Sequence, residues 1–145
     1  MKHTYILEEG HWKAKGLYYD DAGHAIEVYG ETTIKHLADE WVLDGFMELK
    51  IENPVRFYNK YSIVPVPAQK DYTLWASENP ALGKLLGKFM IVGDTILSSY
   101  ISENGLYSGA ESLLIIDDTK YLNRGFAFHG EKKLSSWEVT LEQIA

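Results

Sequence analysis

Along most of this chain hydrophobic and polar residues alternate with a period of two, and turn-forming clusters break the alternation at short intervals. The breaks fall at Asp20-Asp21-Ala22-Gly23, Glu52-Asn53-Pro54, Gly93-Asp94, Glu103-Asn104-Gly105, Asp117-Asp118 and Gly130-Glu131. Reading between them predicts about ten strands, near 11–19, 24–36, 41–52, 55–64, 71–77, 87–92, 95–102, 108–116, 120–129 and 134–142. The strands have unlike faces. In the first, Trp12, Ala14, Gly16 and Tyr18 oppose His11, Lys13, Lys15 and Tyr19. The second sets Ile26, Val28, Gly30, Thr32, Ile34 and His36 against Glu27, Tyr29, Glu31, Thr33 and Lys35. In the third, Trp41, Leu43, Gly45, Met47, Leu49 and Ile51 oppose Val42, Asp44, Phe46, Glu48 and Lys50. One side is apolar or small and the other largely charged, which is the pattern of a sheet with one dry face.

Helix signals are few. Asn79-Pro80 followed by Ala-Leu-Gly-Lys-Leu-Leu has an N-cap residue and a proline at the first helical position, and predicts one short helix near 79–86. A single helical turn over Thr4–Glu9 is also compatible with the pattern. Val64-Pro65-Val66-Pro67 lacks two ladder donors and must end a strand or lie on an edge. Ten short strands in one open sheet would leave two unpaired edges; closing them into a barrel removes both. The expected class is therefore all-β, an antiparallel up-and-down β-barrel of about ten strands, forming a single domain over 1–145.

Charge narrows the partners. The chain has 14 Lys+Arg against 21 Asp+Glu, a net charge of −7, and its arginines are Arg56 and Arg124 alone. A nucleic-acid binder needs a basic stripe to displace counterions from phosphates. Lys13/Lys15 and Lys132/Lys133 are pairs on solvated faces, so neither nucleic acid nor an acidic membrane surface is an expected partner. No cysteine is present, which removes disulfides, thiolate nucleophiles and Cys-ligated metals together. The opening residues carry no apolar stretch of a secretion signal, and the expected location is cytoplasmic.

Familiar catalytic motifs fail on spacing. Gly83-Lys84-Leu85-Leu86-Gly87-Lys88-Phe89 is one residue short of a phosphate-binding loop and puts Phe89 where a hydroxyl should meet magnesium. Gly105-Leu106-Tyr107-Ser108-Gly109 does not fit a nucleophile elbow. The five histidines form no ligand pair, and His36-Leu37-Ala38-Asp39-Glu40 reads as a solvated loop before it reads as a zinc site, so no metal is expected. His36 does continue an inward face, which makes it a pocket candidate.

Gly10-His11-Trp12, at the entry to the first strand, resembles the calycin superfamily of lipocalins and fatty-acid-binding proteins. The longer run Gly10-His11-Trp12-Lys13-Ala14-Lys15-Gly16 is most similar to the nitrobindin-type branch, although Ala14 stands where that branch has glycine. The resemblance implies a lipocalin-like barrel plugged at one end by Trp12, with a late-strand arginine stacked on its indole face. Arg124 is the one late arginine, grouped by alternation with Leu122, Phe126 and Phe128. That branch also implies haem held by a histidine of the last strand. Here that strand reads Leu134-Ser135-Ser136-Trp137-Glu138-Val139-Thr140-Leu141 and has no histidine, so no haem or other cofactor is expected.

The remaining chemistry lies in inward polar groups. Glu111 sits among apolar residues, and a carboxylate inside a barrel must be paired or hydrogen-bonded, or its pKa rises; Arg124, Tyr18 and Tyr61 are the candidate partners. Eight strands already hold one small ligand, and ten are hard to fill with side chains alone. The reading is a binding module for a small apolar or aromatic molecule, lined by Tyr18, His36, Trp41, Met47, Tyr61, Trp75, Glu111 and Arg124. Two alternatives stay open. One is an enzyme using Glu111 as acid or base; the other is a filled barrel that pairs with a second copy through Tyr19, Tyr29 and Phe46, as a homodimer.

Overall fold

The alternating faces close on themselves. The computed structural model describes residues 2–144, which form ten antiparallel strands: β1 (Gly10–Tyr19), β2 (Ala25–His36), β3 (Trp41–Leu49), β4 (Val55–Ile63), β5 (Tyr72–Asn79), β6 (Gly83–Val92), β7 (Thr95–Ser102), β8 (Tyr107–Asp117), β9 (Lys120–His129) and β10 (Lys132–Gln143). Each pairs with its neighbours in sequence, and β1 pairs with β10 to complete the barrel. No helix long and apolar enough to cross a membrane occurs among the described residues.

The helix expected near 79–86 is absent. Asn79 does act as a cap, its Oδ1 accepting from the backbone N–H of Ala81 and of Leu82, both at 2.9 Å. Gly83 then takes φ of 79°, a conformation open to glycine, and reverses the chain. Pairing resumes at once between Asn79 and Gly83 and between Glu78 and Lys84. The capping chemistry was read correctly, but it closes a hairpin. At the N-terminus a single turn does form, closed by Glu8 N–H donating to Thr4 O at 2.9 Å.

Side chains on the inner face alternate in size around the wall. One transverse row runs through Phe89, Ser98, Glu111, Gly125, Trp137 and Tyr18. The next runs through Trp75, Gly87, Tyr100, Gly109 and Ala127. Small residues beneath large rings let the rings lie along the wall. A Cβ on Gly87 would come within 2.0 Å of the Trp75 ring, so only glycine fits there.

β9 inverts the expected alternation. Its inward residues are Tyr121, Asn123, Gly125 and Ala127, while Arg124 and Phe126 are exposed on the outside. Arg124, cross-strand neighbour of Ser112 and Glu138, faces solvent and does not stack on Trp12. The apolar set Leu122, Phe126 and Phe128 misled the assignment because this strand is more apolar outside than in.

Tyr121 takes the closing role instead. Its ring meets Trp12 edge-on with centroids 5.7 Å apart, and Tyr5 packs on Trp12 at 5.2 Å. The Tyr121 hydroxyl accepts from Thr4 N–H at 3.0 Å and lies 2.8 Å from His3 Nδ1. His3 Nε2 lies 2.9 Å from the Gly93 carbonyl, which can only accept, so Nε2 carries the proton and Nδ1 accepts from the phenol. The N-terminal turn is thus tied across the end of the barrel. Ile6 is fully buried in it at φ of 62°. That conformation costs an isoleucine on the order of 1–3 kcal/mol, offset by a gain of similar size from burying the side chain.

Candidate functional site

Above this plug the barrel is hollow. A cavity of about 330 Å³ lies within the wall, inside the usual range for small-molecule sites. Its mouth follows from incomplete pairing. β4 bonds to β5 only from Tyr61 to Ile63, so Val55–Lys60 has no partner on that side. Phe57 consequently remains 39% exposed, although it points inward. Tyr18 stacks on it, with centroids 6.0 Å apart. The β5–β6 turn contributes Ala81 and Leu82 to the same lining.

Glu111 is the one charged residue among the described residues lining the cavity. Its Oε2 accepts from Asn123 Nδ2 at 3.2 Å, and the same amide nitrogen donates to Ser112 O at 3.1 Å. The Trp137 indole N–H donates to Asn123 Oδ1 at 3.2 Å. Because the indole can only donate, the Asn123 oxygen must face it, and the amide nitrogen is left for Glu111. Burial pushes the Glu111 carboxyl up from its ordinary value, with the Asn123 and Trp137 donors partly opposing it. Burial and then the Glu111 charge raise the phenol of Tyr100 to about 12. The same two causes raise Tyr5 and Tyr61 further. All three phenols therefore stay neutral across the physiological range, leaving one carboxyl group as the acid–base element of the interior.

The stacked aromatics form one side of this space. Tyr61 lies on Trp75 with centroids 4.2 Å apart and planes 11° from parallel, and the Trp75 N–H donates to Ser98 Oγ at 3.2 Å. Tyr100 tilts against Trp75 with ring centroids 6.0 Å apart.

Of the residues proposed from sequence, Tyr18, Met47, Tyr61, Trp75 and Glu111 line this one cavity. His36, Trp41 and Arg124 do not. His36 stacks on Trp41 at 3.8 Å and donates from Nε2 to Ile6 O at 2.9 Å, so both belong to the plug. Trp12 is 1% exposed in the plug, as its inward register requires. Arg124 borders an outer groove with Met90, Leu97 and Phe126. The partner of Glu111 is consequently an amide, not Arg124 or a tyrosine. On the outside, Phe46 is covered by the Arg56 guanidinium at 3.9 Å and by the edge of Tyr29. Sequence reading missed Tyr5, Tyr100, Asn123 and Trp137 as lining residues. Gly125 was the available signal for the last two: a residue that small inside a wall implies a large ring lying over it. Among the described residues no three His, Cys, Asp or Glu side chains converge as a metal site.

No family model matches the chain, and no curated protein matches it in sequence. Solved structures with the same fold do exist. The S-type phycobiliprotein lyase CPES from Guillardia theta is similar with TM-score 0.69 at 11% identity, covering 97% of this chain and 91% of the lyase. Rv2717c from M. tuberculosis is similar with TM-score 0.63 at 11% identity, covering 94% and 92%. At such identity the likeness is one of fold alone, that of the closed ten-strand barrel described above.

Proposed function

We propose that this protein binds a small apolar or aromatic molecule inside its barrel. The observation that carries the reading is the cavity of about 330 Å³, walled by aromatic and aliphatic side chains around one hydrogen-bonded carboxylate. Few, convergent polar groups in an apolar container are what orient a ligand without reacting with it. The Gly10–Gly16 run supports a relation to the nitrobindin-type branch of the calycins, which it resembles except at Ala14. The chemistry differs from haem ligation, since no histidine lines the cavity or stands on β10. Binding is favoured over acid–base catalysis because Glu111 is hydrogen-bonded to Asn123, with no phenol oxygen bonded to it. The lyase likeness lends support to a ligand-holding barrel through fold alone.

Native mass spectrometry of the protein purified from its own host tests this reading. The expected spectrum contains the chain with one co-purifying small molecule, released on denaturation. The bare chain alone, in a preparation that also fails to take up hydrophobic probes, overturns it.

A further inference from the structure

The cavity has a sign. Among its described lining residues there is one carboxyl group and no lysine, arginine or histidine. Asn123 donates to Glu111 Oε2, the Trp137 indole N–H is the other donor beside it, and neither carries a charge. A carboxyl group held in low dielectric without a cation either keeps its proton or stands as an uncompensated charge, so a cationic guest is the partner that stabilises its ionised form. Around it stand rings whose faces are themselves negative: the Tyr61–Trp75 stack, Tyr100, Tyr5 and Trp137. Aromatic faces and a carboxylate favour the same kind of guest.

We propose that the cavity selects a flat aromatic ligand bearing a cationic N–H group, which donates to Glu111 while its ring lies against the Tyr61–Trp75 stack. This rests on the binding role proposed above and names the class of ligand. A neutral aromatic body fills the apolar wall equally well but leaves the Glu111 charge without a counter-charge. An anion is repelled by the carboxylate and by the ring faces. Acid removes the preference, because the carboxyl group then carries its own proton. The groups that face Glu111 are Ser98 and Tyr100 on β7, Asn123 on β9, Trp137 on β10, Tyr61 on β4 and Tyr5 in the N-terminal turn. None of these takes up a proton between neutral and mildly acidic pH, so Glu111 alone sets that dependence.

Calorimetric titration with three probes of equal shape tests the proposal: naphthylmethylamine, which is protonated at neutral pH, naphthylmethanol and naphthoate. The amine is expected to bind about tenfold or more tightly than the alcohol, with the acid weakest. Glu111→Gln should abolish the advantage of the amine while leaving the alcohol within about twofold. Should that variant fail to fold, lowering the pH on the wild-type protein removes the same charge and should erase the same advantage. Equal binding of amine and alcohol overturns the cationic preference and leaves the binding role standing, as does tightest binding of the acid. An amine advantage that survives both Glu111→Gln and acid also overturns it. Absence of binding by all three probes and by other hydrophobic dyes overturns the binding role itself.

Discussion

Gly125 lies directly beneath the indole of Trp137, so close that a Cβ built on it would stand 2.4 Å from that ring. The same Cβ would meet the Glu111 Cβ at 2.8 Å. One missing methyl group therefore seats both the aromatic wall and its carboxylate. Gly125→Ala should displace Trp137 from Asn123 and cost about 1–3 kcal/mol through overpacking. Urea unfolding measures the loss, and the near-ultraviolet dichroism of Trp137 should change with it. A loss below about 0.5 kcal/mol with an unchanged spectrum contradicts this seating.

The closing role assigned to Tyr121 gives a contrast. Tyr121→Phe leaves the Thr4 N–H without its acceptor and the His3 ring without its partner, and should destabilise by about 1–3 kcal/mol. Trp12→Ala, emptying the plug, should cost about 3–5 kcal/mol. Arg124→Ala, on the outer face, should change stability by less than about 0.5 kcal/mol. Thermal or urea melts of the three variants decide the order. An Arg124 effect equal to that of Tyr121 would return the closing contact to the arginine.

Glu111 carries a stability signature of its own. Burial raises its folded-state pKa above the ordinary 4.5, so the unfolded chain ionises first as pH rises. In acid below 4.5 both states are protonated and its contribution is intact; it is lost as pH rises through the folded value. The ligand-free Glu111→Gln protein should thus match wild type in acid and exceed it at neutral pH. Urea melts at several pH values check this, with the difference between the two proteins as the readout. A gap that widens toward acid contradicts the assigned direction.

Haem titration should leave the Soret band without a sharp shift, because the inward side of β10 offers Trp137, Val139 and Leu141 where a ligand nitrogen is needed. His129 lies exposed at the far end of β9 against Tyr107. A sharp shift abolished by His129→Ala contradicts this reading.

The strands and their inward faces were legible where one face is charged, as in β1 to β3, since charge has only one stable side of a barrel wall. That pattern placed Tyr18 and Met47 in the interior; Glu111 on β8 is read inward from its place among apolar residues. The pattern failed on β9, where Asn123 and the small Gly125 face inward to accommodate Trp137 and Glu111, and the outside carries Leu122 and Phe126. The residues that seat Trp137 and Glu111 thus erased the signal that would have located them. Depth was equally hidden: His36 and Trp41 do point inward, but period-two alternation says nothing about how far along the barrel a residue lies. The N-terminal turn that sets them apart from the cavity is fixed by contacts more than 100 positions away, such as Thr4 with Tyr121.

Two methionines provide the most direct test of an occupied interior. Met47 lines the cavity, and Met90 stands on the outer face at 39% exposure, beside Leu97 and Phe126. In protein labelled with ¹³C at the methionine methyl groups, titration with the uncharged dye N-phenyl-1-naphthylamine should shift the Met47 signal saturably and leave Met90 in place. A saturable shift of Met90 alone, with Met47 unmoved, would put binding on the outer groove and contradict the barrel as a container.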